Sequence, residues 1–142
     1  MNSELKREII FDNYKEPINR GLIDDNSYLK TNTNSESCID NLDFMMKIED
    51  DIVKDIRFDG EACAISTSCA SIMIKSLIGK SVSEVINILT NYKNMINEED
   101  YDKTVLGELC VYDEISKQPN RKNCALLPIK AVENMLDELN RR

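Results

Sequence analysis

The sequence contains no histidine and no tryptophan. Imidazole is the side chain that ordinarily titrates near neutral pH and the commonest neutral metal ligand. Triads and dyads that depend on it are therefore excluded. Basic residues are in the minority, 18 Lys plus Arg against 26 Asp plus Glu, for a net charge of −8. A nucleic-acid backbone or an anionic membrane would repel such a chain, so neither is expected as a partner. Long apolar runs are missing too. Nothing approaches the roughly 18 residues of a spanning helix, and the N-terminus lacks the apolar segment of a signal peptide. The cytoplasm is the expected compartment.

What is present suits one globular domain over 1–142. The chain has 142 residues, 42% hydrophobic and 31% charged, with only four Gly and three Pro. A chain of this size buries roughly 70% of its unfolded surface, enough for a core without disulfide staples. Five cysteines, an odd number in a cytoplasmic chain, point to metal binding, thiol chemistry or plain burial. Any reaction would have to run on sulfur and carboxylate.

The pattern along the chain predicts an α+β fold, a small antiparallel sheet with several helices. Leu5, Ile9, Ile10 and Tyr14 share one face of a helix over 3–14, with Ser3 as its cap. Residues 24–37 turn polar, and the run at 31–37 reads as a loop. Leu42, Phe44, Met46 and Ile48, then Ile52, Ile56 and Phe58, alternate as two strands joined by Glu49-Asp50-Asp51 into a hairpin. Ser66 caps a helix that Gly79 ends, and Ser81 with Glu84 forms a capping box for the next. Val105 to Ile115 is expected to be helical. Pro119-Asn120 reads as a turn before a last helix over 126–140, with Pro128 in its first turn.

Three thiols fall at element boundaries: Cys38 at the end of the polar loop, Cys63 after the second strand, and Cys124 before the last helix. With Asp40 they form a chemically sensible tetrahedral set for Zn²⁺, and thiolates also suit iron–sulfur clusters. Cys63 and Cys124 are expected at helix N-termini, where the dipole favours thiolate. Cys69 and Cys110 read as inert buried thiols. Spacing alone leaves the matter open, because gaps of this length are unlike the short pairs of zinc ribbons, and free cysteine is often simply buried.

The motifs around these residues resemble the IscU/SufU family of iron–sulfur cluster assembly proteins, of the NifU N-terminal type. Ile10-Phe11-Asp12-Asn13-Tyr14-Lys15-Glu16-Pro17-Ile18-Asn19-Arg20-Gly21 is similar to the family's I-x-D-H-Y-x-x-P-x-N-x-G. Ser37-Cys38-Ile39-Asp40 resembles its first ligand segment, C-G-D. Phe58-Asp59-Gly60-Glu61-Ala62-Cys63-Ala64-Ile65-Ser66, followed by Ser68, Ala70, Ser71 and Met73, resembles F-x-G-x-G-C-x-I-S-x-A-S-A-S-x-M. Leu106-Gly107-Glu108-Leu109, Ser116-Lys117, Pro119, Arg121 and Cys124-Ala125 resemble the SufU branch, as does the long insertion before Cys124. Asn123 stands where IscU-type scaffolds carry a histidine.

The resemblance implies a SufE/NifU-like fold and a zinc-dependent sulfur acceptor. Cys38, Asp40, Cys63 and Cys124 would hold the zinc. Cys38 would take persulfide sulfur from a pyridoxal-phosphate cysteine desulfurase of the SufS type and relay it to downstream cluster assembly proteins. Arg121 would assist docking or stabilise thiolate charge. The alternatives are a scaffold holding a nascent [2Fe–2S] cluster on the same residues and a non-catalytic interaction module with structural zinc. Ile39 and Ala62 replace family glycines, while all four ligand positions are kept.

Overall fold

The computed structural model describes residues 1–34 and 40–142. Among the described residues the order is helix α1 (Ser3–Lys15), strands β1 (Leu29–Asn34), β2 (Asn41–Glu49) and β3 (Ile52–Glu61), then helices α2 (Ala64–Leu77), α3 (Val82–Ile96) and α4 (Pro119–Asn140). The strands form one antiparallel sheet in the order β1-β2-β3. Helix α2 packs between α1 and α4, and α4 also lies across β1. The expected α+β architecture is what the chain adopts.

Local chemistry explains most boundaries. Asn2, not Ser3, caps α1, its Oδ1 accepting from Leu5 N at 2.8 Å. The hairpin joining β2 to β3 turns on Asp50 and Asp51, both at positive φ (53° and 64°), as a two-residue loop matched to strand twist requires. Gly79 adopts φ 89° just beyond the end of α2, and the Ser81–Glu84 capping box opens α3 with both reciprocal bonds made. In the second strand Val53, wholly buried, enters the core instead of the half-buried Ile52. The cause is a register irregularity at Lys47/Ile48, after which Ile48 pairs with Val53.

Three expectations need correction. The stretch read as a loop at 31–37 overlaps β1 over 31–34, with the rest of it outside the described residues, and β1's alternating Leu29 and Thr33 are buried. Its pairing with β2 is reinforced by Asn32 Nδ2 donating to Asn41 Oδ1 at 2.7 Å and to Asp43 Oδ1 at 2.9 Å. The stretch read as one helix over 105–115 is a series of short 3₁₀ turns at Lys103–Val105, Gly107–Tyr112 and Ile115–Lys117. Gly107 at φ 52° interrupts any continuous helix there. The last helix begins at Pro119, which occupies its first position, so Pro128 lies in its interior.

Two short segments cover the outer edge of β3. Gly21 N donates to Phe58 O at 2.7 Å, and Gly79 N donates to Val53 O at 2.8 Å. Both occupy edge groups that would otherwise be open to strand addition. Phe44 and Phe58 face one another across β2 and β3 with ring centroids 5.8 Å apart, and both are buried.

Gly60 controls the approach of β3 to the start of β2. Its φ is 131°, and a Cβ there would lie 2.2 Å from the Asn41 carbonyl oxygen. Gly60→Ala therefore combines a strained backbone with a clash against main chain. It is expected to cost about 2–3 kcal/mol in urea unfolding. Because Asn41 follows Asp40, the same change disturbs the site described next.

Candidate metal centre

The end of β3 delivers Cys63 to the N-cap of α2, where its sulfur accepts from Ser66 N at 3.5 Å. Ser66, expected to be the cap, is instead the third residue of the helix. The residue preceding β2 is Asp40, 1% exposed. Its Oδ1 accepts from Cys63 N at 2.7 Å and its Oδ2 from Ser66 Oγ at 2.7 Å. A carboxylate taking an orphan N–H at a helix start is favoured both by the hydrogen bond and by the dipole.

Cys124 completes the group from α4. One ligand atom from each of Asp40, Cys63 and Cys124 lies within 4.8 Å of the others. The Cys63 Sγ to Asp40 Oδ2 distance is 3.6 Å. Tetrahedral zinc with ordinary Zn–S and Zn–O bonds has an S···O edge of about 3.6 Å. Two thiols and a carboxylate at this separation therefore suit a zinc ion, without large movement of the Cys63 and Asp40 side chains.

Cys38, the fourth residue of the expected set, lies outside the described residues, as does Ile39. Cys124 is 4% exposed and lies inside α4, not at its N-terminus. The expected dipole effect on it does not apply, whereas Cys63 does sit at a helix start. Arg121 is exposed in the first turn of α4, one turn before Cys124.

The remaining thiols differ from each other. Cys69 is wholly buried, as expected, and its Sγ–H donates to the Ala125 carbonyl at 3.4 Å. Burial pushes its pKa up to about 12. Cys110, expected to be the same, is only partly buried; burial and then the nearby Asp113 carboxylate raise its pKa.

Cys69 has a stability consequence with a defined sign. Its folded pKa lies above the ordinary 9.0, so its contribution is complete below pH 9 and is lost as pH rises toward 12. Cys69 is expected to contribute about 1 kcal/mol of loss by pH 10 in urea unfolding, alongside Tyr92 and Tyr112, whose pKa values burial also raises, so Cys69→Ala is expected to make the slope shallower without abolishing it.

Sequence reasoning missed what Ser66 does. Its Oγ lies 2.7 Å from Asp40 Oδ2 and 2.9 Å from the Cys124 carbonyl, so one buried hydroxyl connects two of the candidate ligands. In the sequence Ser66 shows itself as a member of the motif around Cys63 and as an ordinary helix cap, and neither names its partners.

The NifU-like N-terminal domain family matches residues 5–125. The chain belongs to that family. It is 35% identical over 130 residues to the zinc-dependent sulfurtransferase SufU of Bacillus subtilis, covering 91% of this chain and 87% of that protein. It is 31% identical over 122 residues to the iron–sulfur cluster assembly scaffold protein IscU of Thermotoga maritima, covering 86% and 85% respectively. A crystal structure from Fervidobacterium islandicum, described as an iron–sulfur cluster assembly scaffold protein for the SUF system, superposes with TM-score 0.82 at 31% identity. That match covers 89% of this chain and 92% of the other. Within this NifU-like chain, no helix among the described residues is long and apolar enough to cross a membrane.

Proposed function

We propose that this NifU-like domain is a zinc-dependent sulfur acceptor in iron–sulfur cluster biogenesis, taking persulfide sulfur from a cysteine desulfurase through Cys38. The observation that carries the reading is the convergence of Asp40, Cys63 and Cys124 from three separate parts of the chain. Their donor chemistry fits zinc, and the SufU relative is named for zinc-dependent sulfur transfer. Asp40, Cys63, Cys124 and Cys38 would hold the ion, which when bound keeps its thiol ligands deprotonated at neutral pH.

The transfer needs little from the rest of the protein. The Cys38 thiolate attacks the terminal sulfur of the desulfurase persulfide. A new S–S bond forms on Cys38, the desulfurase S–S bond breaks, and its electron pair leaves with the desulfurase thiolate. No net oxidant or reductant is required. The acceptor role falls to Cys38 by the family resemblance; of the described ligand thiols, Cys124 is buried and Cys63 partly buried. Arg121, exposed in the first turn of α4, would assist docking or stabilise thiolate charge.

The cluster-scaffold alternative uses the same ligands. The full absence of histidine, with exposed Asn123 beside Cys124, favours sulfur relay. Metal analysis of the purified chain, followed by desulfurase turnover with zinc-loaded and chelated protein, tests the choice. Near-stoichiometric zinc and zinc-dependent acceleration are expected. Iron with a visible chromophore and no acceleration would establish the scaffold reading, and zinc without acceleration would leave a structural zinc module.

A further inference from the structure

Helix α4 contains Pro128, four residues after Cys124. A proline has no N–H, so the helical bond that would end on the Cys124 carbonyl cannot form, and its ring pushes that carbonyl aside. The carbonyl instead lies 2.9 Å from Ser66 Oγ and shares that hydroxyl's single proton with Asp40 Oδ2. The same hydroxyl lies 2.7 Å from Asp40 Oδ2 and 3.7 Å from Cys63 Sγ. Ser66 is wholly buried, so water does not compete for these positions. The next carbonyl, of Ala125, is held from the other side by Tyr92 Oη at 2.9 Å and by Cys69 Sγ.

We infer that Pro128 and Ser66 act as a pair of positioning residues for the metal centre: Pro128 makes the Cys124 carbonyl available, and Ser66 uses it to tie the α4 ligand to Asp40. The inference rests on the metal-site reading above. A helix interior normally rejects proline because it loses a hydrogen bond. Here the lost bond is replaced by a share in the Ser66 hydroxyl proton, which crosses from α4 to α2 beside the carboxylate. Groups behind the ligands typically change metal affinity by about 10–100-fold when removed.

The test is a double-substitution cycle on the full chain, with zinc affinity read by chelator competition and ligand geometry by the visible bands of the Co²⁺-loaded protein. Pro128→Ala supplies an N–H that recaptures the Cys124 carbonyl, and Ser66→Ala removes the tie itself. Each is expected to weaken zinc binding about tenfold and to shift the cobalt bands. The double variant is expected to lose no more than either single one. Leu127→Ala, a buried change that leaves the Cys124 carbonyl bond untouched, is the packing control. It should lower the urea midpoint of the metal-free chain without moving affinity or spectrum. Unchanged zinc affinity in Pro128→Ala, additive losses in the double variant, or an equal effect of Leu127→Ala would each overturn the inference and leave the metal centre standing. Wild-type protein that takes up neither zinc nor cobalt would overturn the metal reading and the positioning role with it.

Discussion

Cys38→Ser is expected to reduce the acceleration of a cysteine desulfurase by about a hundredfold or more while leaving the metal-free fold intact. A serine hydroxyl is not ionised near neutral pH and does not displace a thiolate from a persulfide, so the acceptor step has no substitute. Asp40, Cys63 and Cys124 bring one candidate ligand atom each within 4.8 Å of the others, and the resemblance to the family assigns the fourth ligand and the acceptor thiol to Cys38. Zinc affinity should also fall, because a thiolate ligand is lost. The decisive contrast is between variants: Cys69→Ala, at a buried thiol outside the ligand group, should keep both zinc and acceleration.

Asp40→Ala is expected to have the largest combined effect on folding and metal binding. The carboxylate accepts from Cys63 N at 2.7 Å and from Ser66 Oγ at 2.7 Å, in a place that is 1% exposed. Alanine removes both acceptors. Each abandoned buried donor costs about 1–3 kcal/mol, so the metal-free chain should lose roughly 2–4 kcal/mol, with partial relief as Ser66 turns wholly to the Cys124 carbonyl. Zinc affinity should fall by about a hundredfold with the loss of the oxygen ligand. Asp40→Asn separates the two roles. Its amide oxygen still accepts from Cys63 N, so much of the stability should return, whereas the anionic ligand does not. Urea unfolding of the metal-free chain and chelator competition measure the two effects independently. Unchanged zinc affinity in both variants would show that the carboxylate is not a ligand, and equal losses of stability in Asp40→Ala and Asp40→Asn would show that it is not the acceptor assigned here.

Parts of the fold were legible because their cause is local. The Ser81–Glu84 capping box and the Glu49–Ile52 hairpin depend on residues within a few positions of one another, and both appear as the pattern predicts. Strand β1 was hidden because Lys30, Thr31, Asn32 and Asn34 carry little apolar periodicity; its justification is the paired β2 strand, not its own composition. Pro119 reads as a turn in the sequence because proline stops a preceding helix and equally starts a following one, and here it starts α4. Pro128 was assigned to a first turn for the same reason. Its interior place becomes intelligible only with Ser66 alongside the Cys124 carbonyl.

The site was legible in kind but not in layout. Asp40, Cys63 and Cys124 are far apart along the chain, and no spacing rule joins them. Their resemblance to a known family named the set, and the fold brings them within 4.8 Å. The sequence placed both Cys63 and Cys124 at helix starts, yet only Cys63 is there, because α4 begins earlier than hydrophobic periodicity indicates. Ser66 stands in the motif around Cys63, yet nothing in the sequence names its partners Asp40 and Cys124. Hydrogen bonds between elements distant in sequence depend on packing, which periodicity and caps do not encode.

The most direct test of the account is mass spectrometry of the zinc-loaded chain after turnover with a pyridoxal-phosphate cysteine desulfurase and isotopically labelled cysteine. The account predicts a single added sulfur atom, carried on the peptide containing Cys38, removed by reductant and absent from Cys38→Ser. Turnover of the desulfurase with no label on the chain, or label distributed over Cys63, Cys110 and Cys124 with Cys38 unmodified, would contradict it.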